Sequence, residues 1–91
     1  MTTRKVYKYR LELTDTQTID LPLGAQALTV QVQNGEPQLW ALIDPDAATE
    51  PRSFRIHGTG HVMKNAWGLK YISTFQLAGG SLVFHVFEEA R

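Results

Sequence analysis

The 91-residue chain carries nine Lys or Arg and nine Asp or Glu, a formal net charge of zero, so it is expected to form one domain spanning residues 1–91 with no overall field to attract DNA, RNA or an anionic membrane. It contains no cysteine, which excludes disulfides, thiolate metal sites and a cysteine nucleophile and fits a reducing cytoplasm. No apolar run reaches the length of a membrane span, and the opening Met-Thr-Thr-Arg-Lys-Val-Tyr lacks the apolar stretch of a signal peptide, so a soluble cytoplasmic protein is expected.

Alternation of period two recurs along the chain and no window holds a helical stripe, which predicts an all-β fold, a small barrel or compact sandwich of six to seven short antiparallel strands. The first strand is predicted from Lys5 to Leu13, with Tyr7, Tyr9, Leu11 and Leu13 on one face. Its lysines and arginines suit a protected sheet edge more economically than a nucleic-acid surface. A turn at Thr14-Asp15-Thr16 leads to a short edge strand from Ile19 to Leu21, stopped by Pro22, which cannot donate to a ladder. Leu28, Val30 and Val32 alternate with polar residues up to Asn34-Gly35, a strong two-residue hairpin signal, and the next strand runs from about Gln38 to Ile43. The prolines and acids between Asp44 and Pro51 read as a solvent loop.

From Arg52 to His61 the sequence Arg-Ser-Phe-Arg-Ile-His-Gly-Thr-Gly-His sends a β-alternating segment into a glycine pair flanked by ionisable groups. Arg52, Phe54 and Ile56 share one face and Ser53, Arg55 and His57 the other. Gly58 and Gly60, with Thr59 between them, permit positive φ and hence an anion-binding nest of backbone N–H groups; a simple bulge or bend is the competing reading. Val62 to Leu69 has no clean period. Tyr71 to Leu77 forms a strand, Ala78-Gly79-Gly80 a second hairpin, and Leu82 to Glu88 a last strand, apolar on both faces and therefore expected to be central.

An enzyme is not supported by these residues. His57 and His61 have no third metal ligand at a recognisable spacing, Ser53, Ser73 and Ser81 lack a nucleophile context, and His85, in an apolar strand, reads as a hydrogen-bonded core histidine. Trp40 reads as core, whereas Trp67, near Lys64 and Lys70, is the better stacking candidate.

Gln-Thr-Ile-Asp-Leu-Pro-Leu-Gly-Ala at 17–25, Val-Gln-Val-Gln-Asn-Gly at 30–35, Leu-Trp-Ala-Leu-Ile-Asp-Pro at 39–45, Phe-Arg-Ile-His-Gly-Thr-Gly-His at 54–61, Tyr-Ile-Ser-Thr-Phe-Gln at 71–76 and Leu-Val-Phe-His-Val-Phe-Glu at 82–88 together resemble a family of small phage and prophage proteins. Phage proteins of comparable size include anti-CBASS sponges, which bind cyclic nucleotide signals without cleaving them. The resemblance implies a non-enzymatic, anti-defence role in the host-cell cytoplasm, with no cofactor; it supplies no binding motif residue by residue.

The physical reading therefore places a small anionic nucleotide on Arg52 or Arg55, on the N–H groups of Gly58, Thr59 and Gly60, on His57 or His61, and on Trp67 or Tyr71 as a base stacker, in a homo-oligomer rich in aromatic surface. The competing reading is a phage structural or protein-interaction module acting through its strand edges.

Overall fold

The computed structural model describes residues 3–90. Seven strands, β1 (Lys5–Arg10), β2 (Thr16–Pro22), β3 (Gln26–Gln33), β4 (Glu36–Ile43), β5 (Thr49–Gly58), β6 (Lys70–Leu77) and β7 (Leu82–Glu88), form two antiparallel sheets ordered β1-β4-β3 and β2-β5-β7-β6. The all-β fold is therefore present as a two-layer sandwich about 15 Å thick, and not as a closed barrel. Among the described residues there is no α-helix, and no helix long and apolar enough to cross a membrane.

Alternation decides which side chains fill the space between the sheets. Leu39, Ala41 and Ile43 of β4, Val30 of β3, Leu21 of β2, Phe54 and Ile56 of β5, Phe75 of β6 and Val86 of β7 are all buried in one cluster. The sandwich is pinned along the β3 and β6 edges, where Ser73 Oγ donates to the Val30 carbonyl at 3.0 Å and meets Thr29 Oγ1 at 3.2 Å. Strand β1 lies at the opposite edge of its sheet, with Val6 53 % and Tyr7 44 % exposed although they point to opposite faces.

Asn34 (φ 53°) and Gly35 (φ 80°) turn β3 into β4 with Gln33 opposite Glu36, the left-handed pair that a two-residue hairpin requires. At the second hairpin, a single 3₁₀ turn over Ala78–Gly80 precedes β7, which lies between β5 and β6 as expected of its apolar faces. Three strands depart most from the sequence reading. Strand β1 stops at Arg10, one residue before Leu11, which is buried in the core and makes a last bond to β4 through its N–H to the Pro37 carbonyl at 3.0 Å; β2 is longer than expected, running its whole length along β5; and β5 starts at Thr49, before Pro51.

Candidate ligand-binding site

Strand β5 sorts its functional side chains by parity. Arg52, Phe54 and Ile56 point into the sandwich and are buried, while Ser53, Arg55 and His57 lie on the outer face of the four-stranded sheet. The inward direction changes the role of Arg52. Only 4 % exposed, it donates Nη2 to Glu88 Oε1 at 2.9 Å, Nε to Glu88 Oε2, and Nη1 to the Ala25 carbonyl at 2.9 Å. The hydrogen bond to Glu88 raises the guanidinium above its ordinary pKa, against the opposing effect of burial and with the charges of Glu88 and Glu50 adding to it. Arg52 is thus corrected from a ligand contact to a structural residue: its charge is already neutralised by a planar, two-point partner.

The glycine pair is also used differently from the expectation. Of the two glycines only Gly60 has a positive φ, 83°. The Thr59 N–H donates across to the Val83 carbonyl of β7 at 3.2 Å and the His61 N–H closes a turn on the Gly58 carbonyl at 3.1 Å, so these groups do not converge on an anion. Gly58 is small for another reason. A Cβ there would stand 2.8 Å from the His61 ring, so the glycine lets His61 fold back across the end of β5.

The segment 59–69 crosses the outer face from β5 to β6 and is held there by Arg55. Its Nη1 donates to the Lys64 carbonyl at 2.6 Å, its Nη2 to the Asn65 carbonyl at 2.9 Å, and its Nε to Glu89 at 2.9 Å. Beneath the segment lies a cleft of about 540 Å³ lined by Asp15, Thr16, Arg55, Ile56, His57, His61, Val62, Lys64, Asn65 and Glu89, a size usual for small-molecule sites. On its wall, His57 Nε2 is buried and has no hydrogen-bond partner among the described residues. Such an atom costs about 1–3 kcal/mol.

Beside the cleft, an aromatic row crosses three strands. The His57 and Phe87 rings meet edge to face at 6.2 Å, and Phe87 and Tyr71 do so at 5.7 Å. A hydroxyl chain runs alongside: Tyr71 Oη to Thr74 Oγ1 at 2.7 Å, Thr74 Oγ1 to His85 Nδ1 at 2.9 Å, and His85 Nε2 to Thr59 Oγ1 at 2.7 Å. His85 is therefore hydrogen-bonded but on the outer face, not in the core, because it stands directly opposite His57 in the ladder. Trp40 is likewise only half-buried, on the outer face of the other sheet beneath the Lys8 ammonium.

The structure thus gathers Arg55, His57 and His61 in one cleft, with Tyr71 beside it. It places Arg52 in a second cleft of about 380 Å³ with Lys70 and Glu88, and leaves Trp67 93 % exposed on the 59–69 segment, lining neither cleft. Sequence reasoning missed Asn65, Glu89 and Phe87 as neighbours of the site. Only Phe87 carried a signal, its outward parity next to His85. Among the described residues no group of three or more His, Asp or Glu is arranged to hold a metal ion.

Comparison with known proteins yields no matching curated protein and no matching solved structure. A family described as a domain of unknown function, DUF7352, matches residues 2–91. With nearly the whole chain matched, the protein belongs to the DUF7352 family.

Proposed function

We propose that the chain is a non-enzymatic binding module, working as a homo-oligomer, that sequesters a small anionic nucleotide in the cleft beneath the 59–69 segment. The observation that carries this reading is the buried, unpartnered His57 Nε2 on the wall of a cleft that also holds Arg55, His61 and Lys64. A hydrogen-bonding atom kept at a cost to stability is one that a ligand can repay. In the phage setting that the sequence resembles, the ligand is a cyclic nucleotide immune signal and the role is anti-defence.

Charge limits what the cleft can take. Arg55 and Lys64 face Asp15 and Glu89, a formal balance, so affinity rests on local bonds together with base stacking. Arg55 supplies the local bond by changing partners. Its two terminal nitrogens hold neutral carbonyls of Lys64 and Asn65, and a phosphate oxygen, being charged, forms a stronger bond to the same fork. Exchange releases the segment over the cleft that His57 lines and lets Lys64 swing to the phosphate. A base then stacks on Phe87 or Tyr71, each such contact being worth about 1–3 kcal/mol, with Trp67 free to close over it from the released segment.

Calorimetry with a panel of cyclic di- and trinucleotides tests the reading. Micromolar binding to at least one, weakened tenfold or more by Arg55→Ala and by His57→Ala, and recovery of intact ligand from denatured complex are the expected results. Absence of heat with every member overturns the ligand, and recovery of cleaved product overturns the non-enzymatic role.

The alternative, an interaction module acting through strand edges, is favoured by one observation: β1 is an edge strand with Val6 and Tyr7 exposed on opposite faces, a ready template for another strand.

A further inference from the structure

Of the four edge strands, β3 and β6 cover one another through Ser73, Thr29 and the Val30 carbonyl. Strands β1 and β2 have no such cover. Among the described residues, the backbone–backbone hydrogen bonds made outside the ladders involve none of Lys5 to Arg10 or Thr16 to Leu21, and the side-chain cover shown for these backbones is Thr14 Oγ1 on the Thr16 carbonyl at the start of β2. Large apolar side chains are exposed along the same two strands and at their ends: Val6 53 %, Tyr7 44 %, Leu13 54 % and Leu23 52 %. An uncovered pair of strand edges with apolar flanks is the surface on this molecule most in need of a partner strand.

The charges on these strands select the partner. Strand β1, Lys-Val-Tyr-Lys-Tyr-Arg, has three basic residues and no acid, whereas β2, Thr-Gln-Thr-Ile-Asp-Leu-Pro, has one acid and no basic residue. Arg10 is already paired with Glu12 and Glu36, but antiparallel pairing of β1 with its own copy still sets Lys5 and Lys8 against basic residues, and like charges placed opposite destabilise a ladder. Pairing β1 with β2 sets opposite charges together. Parity agrees: Tyr9 and Ile19 pack on the core, so Lys8 on β1 and Asp20 on β2 both lie on outer faces, where a continuous sheet brings them to the same side.

We infer that two copies of the chain join edge to edge about a two-fold axis, β1 of each pairing with β2 of the other. Each three-stranded sheet then continues into the partner's four-stranded sheet, and one symmetry operation satisfies all four free edges, as a closed isologous contact requires. The inference rests on the oligomeric part of the function proposed above and not on its ligand.

Sedimentation of the full chain and of three variants, Lys8→Glu, Asp20→Lys and the double variant carrying both, decides it. The parent is expected at twice the 10.2 kDa chain mass. Each single variant places like charges at both junctions and raises the dissociation constant by about tenfold or more, and the double variant restores it to within about threefold of the parent. A parent at the mass of one chain at every concentration overturns the oligomer altogether. A dimer that ignores Asp20→Lys, or that tightens with Lys8→Glu, overturns this interface alone, pointing to β1 against β1 or to another surface.

Discussion

Arg52 on β5 and Glu88 on β7 form a buried two-point ion pair although they are not ladder partners: Glu88 stands opposite Phe54, and Arg52 reaches diagonally past it. The third arm of the same guanidinium holds the Ala25 carbonyl at the entry to β3. One side chain thus ties β5, β7 and the β2–β3 turn at the end of the apolar core. Its planar fork is what makes this possible, since a lysine cannot serve a carboxylate at two points and a carbonyl at a third.

Breaking that pair from either side strands a buried charge. Arg52→Ala and Glu88→Gln are each expected to lower unfolding stability by about 3–5 kcal/mol, measured by urea denaturation, while the apolar double replacement Arg52→Met with Glu88→Leu costs markedly less. Equal loss from the double replacement would show that the pair is held by geometry the apolar residues cannot imitate. An Arg52→Ala variant of parental stability would return Arg52 to the ligand role.

His57 gives the opposite sign. His57→Leu removes the buried nitrogen that has no partner among the described residues and keeps an apolar contact with Phe87, so stability is expected to rise by about 1–3 kcal/mol while nucleotide binding is lost. A stability loss of that size would mean that the imidazole is already satisfied, and the main support for the binding site would go with it.

Arg55 acts on the segment it holds. Glu89 keeps 36 % of its side-chain surface and can be resolvated, but the Arg55 side chain is only 14 % exposed, so Arg55→Ala is expected to lower global stability by about 1–2 kcal/mol while freeing the 59–69 segment locally. Hydrogen exchange of the amides around Lys64 and Asn65 and tryptic cleavage after Lys64 should both accelerate by about tenfold, with the strand amides unchanged. Uniform acceleration over all strands would contradict a local latch.

Tyr9 supplies a pH dependence. Its partial burial, and next its proximity to Tyr7, hold the phenol above the ordinary value of 10.0, so folding favours the protonated form. That contribution is complete below the unfolded pKa and is lost as pH rises through the folded one. Denaturation midpoints should therefore fall above about pH 10, less steeply in Tyr9→Phe; identical alkaline profiles would remove Tyr9 from the cause.

The sheet framework was legible where the signal is local. Asn34-Gly35 turns the chain because both residues accept positive φ, and the bounds of β7 followed from alternation alone. What alternation does not say is which face meets the other sheet. The face bearing Arg52 is inward with Phe54 and Ile56, and the charge is tolerated there because Glu88, 36 residues away, neutralises it; no spacing announces such a partner. His85 was misplaced for the related reason that both faces of β7 are apolar, and only the cross-strand neighbour His57 shows which is outer. Arg55, His57 and His61 were legible as a group, being close in sequence, but the acceptors that occupy Arg55 depend on how the 59–69 segment returns across the sheet.

Nucleotide binding beneath the 59–69 segment is tested most directly by a nuclear magnetic resonance titration of the isotope-labelled protein with the tightest-binding cyclic nucleotide from the calorimetric panel. Shifts are expected to concentrate on Arg55, His57, His61, Lys64, Asn65, Tyr71 and Phe87, with the Arg55 side-chain N–H resonances among the largest and the β1 amides unmoved. Shifts confined to β1 and β2, or absent at saturating nucleotide, would contradict binding there.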